Sequence, residues 1–272
     1  MKPHCWIADF LASSPLFEPL RPAGCGLEQL KHWPDMAELE RLRAHKSIVA
    51  KSGKPIRFVT HETSPQEFTR QYEPRIYLEG EVPTRLQNWH DLFNALVWLT
   101  FPRAKATLNR LHYQAMLPGK QEQGKTSSQR GALRDAATLF DESGVVVVSA
   151  DAELSALLKH FAWKELFWQR RTALLARMKF FILGHGLYEK ALNPYVGMTG
   201  KALILDVGQH FFSQPLAAQL HEIDLMLEQH WCESAAALTP LPLLGYPAWS
   251  ADNAEESYYD NQSYFRSRPA PV

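Results

Sequence analysis

Histidine and amide side chains lie on two neighbouring segments that are otherwise largely apolar. In the segment NWHDLFNALVWLTF, which begins at Asn88, His90 and Asn94 are four residues apart and share one face of a predicted helix. On the next predicted helix, Asn109 and His112 are three residues apart and also share a face. Imidazole nitrogens and amide oxygens can bind a metal ion, a water or a substrate, and they can equally form an internal hydrogen-bond network. The sequence leaves both interpretations open.

The carboxylate of Asp91 also has two interpretations. Asn88 is a suitable N-cap residue, and a carboxylate three residues later resembles a capping box and suits the helix dipole. Asp91 is adjacent to His90, where the two side chains can position a water or a divalent ion. We therefore treat Asp91 as a candidate catalytic residue with a structural alternative.

A second candidate site surrounds His185 in the segment LGHGLYEK. His185 lies between two glycines where a predicted buried strand leads into a helix, and ligands of α/β sheets gather beyond the carboxyl ends of strands. Glu189 is one helical turn later and can orient the imidazole for acid–base catalysis. The alternative is that the glycines only permit the turn and that His185 is a local cap.

A third group of polar residues surrounds the segment TLFDESGVVVVSAD. β-Forming residues on both sides of DESG predict a hairpin across residues 138–148, with Asp141 and Glu142 at its tip. Turn chemistry accounts for Asp141, which favours a structural role there. Arg134 and Asp135 precede the hairpin and are candidate substrate-binding residues, with Arg134 holding an anion.

The stretch GKQEQGKTSS satisfies the nucleotide-binding pattern G-x-x-x-x-G-K-[ST] with Gly119, Gly124, Lys125 and Thr126. A phosphate-binding loop lies between a buried strand and a helix, whereas the preceding LNRLHYQAMLP is typical of a helix end. A basic connector is therefore favoured, and nucleotide binding is a remote alternative.

Basic residues are concentrated between residues 103 and 134. This segment contains seven basic residues and a single acidic residue, Glu122. The basic residues are Arg103, Lys105, Arg110, Lys120, Lys125, Arg130 and Arg134. This patch can attract a small anion or RNA, so a non-catalytic module that binds RNA or a protein is the alternative to an enzyme.

The predicted elements indicate an α+β fold with a small mixed sheet packed by several helices. Prolines divide the N-terminal part (1–85) into short, irregular pieces. An α+β core (86–236) and an extended, aromatic C-terminal arm (237–272) follow, and we expect the three parts to form a single globular domain. The predicted core elements are a helical pair at 88–116, the hairpin at 138–148, a helix at 151–171, and strands at 179–184 and 201–206.

Composition narrows the function classes. Twenty-nine basic and twenty-nine acidic residues balance, so no overall field attracts nucleic acid or a membrane. The three cysteines, Cys5, Cys25 and Cys232, form no C-x-x-C pair, which favours a reducing, cytoplasmic setting. No apolar run approaches the roughly 18 residues of a spanning helix, so we expect no membrane partner.

Four motifs occur in an order that resembles a known family. The segments NWHDLFNALVWLTFPRAKATLNRLH, RDAATLFDESGVVV, GHGLYEKALNPYVGMTGKALIL and YYDNQSYFR resemble an uncharacterised proteobacterial family, domain of unknown function 3025. The resemblance runs from about residue 40 to the C-terminal arm. It implies a bacterial protein and no particular activity.

The sequence favours a cytosolic hydrolase that acts on a phosphorylated or otherwise anionic small molecule. His185 is the expected general acid or base, oriented by Glu189, while His90 and Asp91 position a water or a divalent metal ion. Asn94, Asn109, His112, Arg134 and Asp135 are the expected substrate-binding residues. The metal and its ligands are left open.

Overall fold

A computed structural model describes residues 5–62, 67–117, 127–229 and 235–268. The α-helices within these ranges are α1 (Met36–Ala44), α2 (Tyr72–Glu79), α3 (Trp89–Thr100), α4 (Pro102–Met116), α5 (Ser127–Ser143), α6 (Ala152–Lys159), α7 (Arg171–Arg177), α8 (His185–Ala191) and α9 (Leu216–Gln229). The strands are β1 (Arg57–Thr60), β2 (Glu81–Thr84), β3 (Gly144–Ser149), β4 (Met178–Ile182), β5 (Thr199–Asp206) and β6 (Thr239–Pro242). The predicted α+β class is confirmed.

Strand β3 lies inside a mixed four-stranded sheet with the order β4-β3-β5-β6. It pairs antiparallel with β4 and parallel with β5, and β6 pairs antiparallel with β5. All six residues of β3 are buried, as a run of valines predicts for a strand covered on both faces. Strands β4 and β5 correspond to those predicted near 179–184 and 201–206.

The predicted hairpin across residues 138–148 is wrong. Residues up to Ser143 belong to helix α5, and β3 begins at the next residue. The side chains of Ala136, Ala137 and Phe140 are fully buried at helical spacing, so tertiary packing of this stripe overrides the local turn composition of DESG. Asp141 is therefore in the last turn of a helix rather than in a turn between two strands.

The predicted helical pair at 88–116 is confirmed as α3 and α4, separated only by Phe101. The single helix predicted at 151–171 is divided instead. Helix α6 ends at Lys159, Phe161 takes a left-handed φ of 61°, and a π-helical turn follows at Glu165–Gln169. A left-handed residue cannot continue an α-helix, so the chain changes direction there.

The N-terminal part contains 3₁₀ turns, α1, α2 and a two-stranded parallel sheet of β1 and β2. The last described segment follows β6 through further 3₁₀ turns. Its aromatic side chains Tyr259, Tyr264 and Phe265 are buried against the rest of the protein. These anchors hold the C-terminal segment on the body of the fold.

None of the described helices combines the length and the apolar character that a membrane-spanning helix requires.

Candidate functional site

Two of the predicted site residues, His90 and His185, meet in the structure. His90 is in the first turn of α3, whose N-cap residue Asn88 accepts a hydrogen bond from the backbone N–H of Asp91 at 3.0 Å. His185 is the first residue of α8, directly beyond the end of β4. The two Nε2 atoms are 3.0 Å apart, and the ring planes are inclined at 73°. Each imidazole therefore presents its Nε2 to the other.

The pairing of β3 with β4 brings Glu142 of α5 close to His185 of α8. Val145 pairs with Ile182, and the next two residues after β4 both donate backbone hydrogen bonds to the carbonyl of Gly144, at 3.0 and 2.9 Å. Helix α5 ends directly before β3, and only two residues separate β4 from α8, so the paired strands bring the end of α5 and the start of α8 together. The Glu142 Oε1 atom lies 3.5 Å from His185 Nε2.

Glu142 completes a cluster with both histidines. Its Oε1 atom is 3.8 Å from His90 Nε2, and its side chain is 46% exposed, so it lies on the open side of the pair. A Cβ atom at Gly186 would lie 2.5 Å from Glu142 Oε2 and 2.9 Å from its backbone oxygen, so the glycine makes room for the carboxylate. One ligand atom from each of His90, Glu142 and His185 lies within 4.8 Å of the others, so these three residues can hold a metal ion.

A carboxylate faces the Nδ1 atom of each imidazole. Glu189 Oε2 is 3.3 Å from His90 Nδ1, and Asp141 Oδ2 is 3.7 Å from His185 Nδ1. Glu189 therefore faces His90 of α3 and not His185, the histidine that the sequence predicts it to orient. Carboxylates in these positions fix the tautomer and the orientation of imidazoles.

Asp141 is an anion because a buried lysine accompanies it. Lys105 Nζ on α4 is 2.5 Å from Asp141 Oδ1, and the two side chains are 5% and 17% exposed. Burial alone would raise the pKa of Asp141, but Lys105, together with the nearby imidazole of His185, holds this pKa at about 2. A hydrogen bond with His185 likewise lowers the pKa of Glu142, against the effect of burial.

The cluster opens into a polar cleft of about 440 Å³, whose wall includes His61, Tyr72, Glu73, Arg85, His112 and Arg134. Burial raises the pKa of Glu73 to about 7, although a hydrogen bond from Asn109 opposes the shift. Burial also lowers the pKa of His112. The cleft thus contains a carboxyl group that exchanges its proton near neutral pH.

Asp91 and Asn94 line the same cleft and are engaged by neighbours. Asp91 accepts hydrogen bonds from the backbone N–H of Arg85 at 2.7 Å and from its guanidinium at 3.0 and 2.7 Å. Asn94 donates to the hydroxyl of Tyr72 at 2.6 Å and lies on the same face of α3 as His90. Asp91 therefore anchors the chain before α3, and Asn94 retains its amide oxygen for another partner.

The remaining predicted site residues differ in their position relative to the cleft. His112 and Arg134 line the cleft, the latter from α5. Asn109 donates to Glu73 Oε2 at 2.7 Å and supports the cleft from behind. Asp135 is exposed and is not among the residues that line the cleft.

The phosphate-loop residues Gly119, Gly124, Lys125 and Thr126 lie outside the described residues. Two other members of the basic segment are already paired, Lys105 with Asp141 and Arg103 with Glu228. Binding of RNA through the segment at 103–134 stays a prediction.

Several residues of the cleft were not singled out as site residues from the sequence: Tyr72, Glu73, Arg85, Asp141 and Glu142. The last two were assigned to a turn. A usable signal was the spacing of Arg134, Thr138, Asp141 and Glu142, which share one face if the segment is read as a helix. Tyr72 and Glu73 belong to α2, which was not predicted because its segment contains Pro74 and lies among other prolines.

The fold and the cleft define an α+β protein whose candidate site combines two histidines with carboxylates. The chain belongs to the family described as protein of unknown function (DUF3025), whose sequence model matches residues 56–269. This match includes every residue of the cleft, and it confirms the resemblance stated above. No curated protein and no solved structure matches the chain.

Proposed function

We propose that this protein is a hydrolase that acts on a small anionic molecule bound in the cleft. The observation that carries the proposal is the cluster of His90, His185 and Glu142 in an open, polar cavity of about 440 Å³. Two imidazoles and a carboxylate that converge on one point can hold and polarise a water molecule for attack. A cavity of this size accommodates a small substrate rather than a polymer segment.

Proton transfer in this reaction is assigned to Glu73. Its pKa of about 7 means that the protonated and the ionised forms are both populated at neutral pH. A group of this kind can give a proton to a leaving oxygen or nitrogen as the bond to it breaks. Glu73 lines the same cleft as the histidine pair, so one bound substrate can contact both.

Binding of the anion is assigned to Arg134. It extends from α5 into the cleft wall, and no acidic side chain among the described residues forms an ion pair with it. Arg85 also lines the cleft, but its guanidinium is already bound in a bidentate manner by Asp91. The available positive charge therefore favours a substrate with a phosphate or carboxylate group.

The test is a hydrolysis assay with purified full-length protein and a panel of phosphomonoesters, phosphodiesters, and carboxylate-bearing esters and amides. We expect turnover of one class and a loss of at least about a hundredfold in His185→Gln, the typical contribution of a positioned acid–base group. The matched control is His221→Gln, an exposed histidine on α9, which should retain full activity.

A further variant tests the anion site. Arg134→Ala should raise KM for anionic substrates and leave KM for neutral analogues unchanged. If the wild type hydrolyses no class faster than His185→Gln does, the protein is not a hydrolase of this kind.

A further inference from the structure

The hydrogen-bonding pattern of the histidine pair is incomplete when each ring carries one proton. A neutral imidazole has one nitrogen that donates and one that accepts. Since Glu189 faces His90 Nδ1 at 3.3 Å, the proton of His90 lies on Nδ1, and its Nε2 is an acceptor. The short contact of 3.0 Å between the Nε2 atoms then requires His185 to carry its proton on Nε2.

This arrangement leaves His185 Nδ1 without a proton and without a suitable partner. The atom is buried and has no hydrogen-bond partner among the described residues, and the His185 side chain is only 6% exposed. The group that faces it is Asp141 Oδ2 at 3.7 Å. Because Lys105 donates to the other oxygen of Asp141, that carboxylate is an anion and can only accept. Two acceptors therefore face each other in a buried position.

We propose that His90 Nε2, His185 Nε2 and the Glu142 carboxylate bind a divalent first-row transition-metal ion. An ion bound to both Nε2 atoms places the proton of each ring on Nδ1. His90 then donates towards Glu189 and His185 towards Asp141, so every polar atom of the cluster has a complementary neighbour. Histidine ligands of metal ions characteristically make such contacts with carboxylates.

The distances fit an ion of this class. With metal–nitrogen bonds of about 2.1 Å, an Nε2–Nε2 separation of 3.0 Å corresponds to an angle of about 90° at the metal. This is the angle between adjacent ligands of an octahedral ion. Glu142 Oε1, at 3.5 and 3.8 Å from the two nitrogens, provides a third ligand on the same side and leaves other positions open. Two imidazoles and one carboxylate suit a transition metal, whereas Mg²⁺ and Ca²⁺ prefer oxygen ligands.

A second observation points to a ligand at this place. Asn94 is 7% exposed and lines the cleft, and its amide oxygen has no hydrogen-bond partner among the described residues. It lies one helical turn after His90 on the same face of α3. A water bound to the metal is a suitable donor for this oxygen.

The inference rests on the proposed function only because it places the metal ion in the same cleft as the substrate. Metal binding itself does not require that a substrate be hydrolysed. It adds the means by which the water is activated, since a bound divalent ion lowers the pKa of its water towards neutrality.

The experiment measures metal binding to full-length protein freed of metal with a chelator. We expect one equivalent of Zn²⁺ or Co²⁺ per chain by calorimetry, and visible absorption bands with Co²⁺, while millimolar Mg²⁺ does not compete. His90→Gln, His185→Gln and Glu142→Gln should each weaken Zn²⁺ binding at least tenfold. Glu189→Gln, which alters the carboxylate that faces Nδ1 of the ligand His90, should weaken Zn²⁺ binding about tenfold to a hundredfold. His221→Gln is the matched control and should bind as the wild type does.

A second measurement needs no variant and so does not depend on the folding of one. Nitrogen chemical shifts of the imidazoles in the wild type should move to those of metal-bound Nε2 and protonated Nδ1 on addition of Zn²⁺. The inference is overturned if Zn²⁺ leaves these shifts unchanged, which would mean that a second proton on His185 completes the pair, or if the three ligand variants bind as tightly as the wild type.

The two proposals fail in different ways. Metal binding without hydrolysis of any substrate would refute the hydrolase and support the metal site. Hydrolysis by a protein that binds no Zn²⁺ or Co²⁺ would refute the metal site and support the hydrolase.

Discussion

Removal of one partner from the buried pair of Lys105 and Asp141 should destabilise the protein strongly. We consider the substitution Lys105→Met, which retains most of the aliphatic side chain and removes only the charge. The lysine and aspartate side chains are 5% and 17% exposed, so water can do little to solvate the carboxylate that remains. The substitution therefore leaves an uncompensated buried charge next to His185.

The magnitude follows from two independent estimates. Breaking a buried ion pair by removing one partner typically costs about 3–5 kcal/mol. The pKa of Asp141, lowered from 3.8 to about 2, corresponds to roughly 2 kcal/mol of stabilisation at neutral pH. We therefore expect a loss of about 3 kcal/mol, which lowers Tm by about 6–12 °C in a chain of this size.

The pH dependence has a definite sign. Because the pKa of Asp141 is lower in the folded state, its stabilisation is fully present above pH 3.8 and is lost as the pH falls towards about 2. Chemical denaturation at pH 7 and at pH 3 should therefore show a smaller difference between wild type and Asp141→Asn at the lower pH.

The assay is urea denaturation of four proteins: wild type, Lys105→Met, Asp141→Asn and the double variant. Removing both charges should cost less than the sum of the two single effects, since no lone charge remains. The matched control is Lys51→Met, which breaks an ion pair with Glu228 whose side chains are 26% and 25% exposed. We expect about 1 kcal/mol or less there. Equal losses in Lys105→Met and Lys51→Met, or strictly additive effects in the double variant, would refute the reasoning.

Two further predictions concern the cleft. Burial raises the pKa of Glu73 to about 7. The stabilisation that Glu73 contributes is therefore fully present below pH 4.5 and is lost as the pH rises through about 7. The Tm of Glu73→Gln should therefore be higher than that of the wild type at pH 8 but not at pH 5. The control is Glu79→Gln, an exposed residue on the same helix, whose Tm should show no such pH dependence. A change in the Tm of Glu73→Gln that is the same at both pH values would contradict the raised pKa of Glu73. Gly186→Ala should weaken Zn²⁺ binding at least tenfold, because the added methyl group displaces the Glu142 carboxylate. The control Gly131→Ala has open space at Cβ, and equal binding by both variants would exclude this steric effect.

Some parts of the site could be predicted from the sequence. They are the parts where a polar residue interrupts an otherwise apolar pattern. His90 and Asn94 were placed on one face of a buried helix, and His185 at a junction of strand and helix, as the structure has them. In both cases the local pattern is decisive, because a polar side chain on a largely apolar helix needs a partner in the folded protein.

Glu142 and Asp141 could not be predicted in this way. Their segment, DESG, has the composition of a turn, and β-forming residues follow it. The choice between turn and helix depends on Ala136 and Phe140, whose burial requires the rest of the fold to be present. Local composition is a weak guide when tertiary packing contributes more free energy than the turn preference.

Glu142 and His185 meet because α5 leads directly into β3, β4 leads within two residues into α8, and β3 and β4 are paired. His90 is held by a different contact, in which Phe93 on α3 stacks on Tyr188 of α8 at 5.7 Å. Tyr188 in turn donates to the backbone carbonyl at the end of β4 at 2.6 Å.

The short distance between the two imidazoles is thus set by the packed core and not by the imidazoles themselves. The stacked rings of Phe93 and Tyr188 hold α3 against α8, so the backbone positions from which the two imidazoles approach to 3.0 Å are fixed. Side chains held by packing in this way keep their geometry without a ligand and lose little conformational entropy when one binds. The core therefore limits what can lie between the two histidines to a proton or a single small cation, which is the distinction that the metal-binding experiment measures.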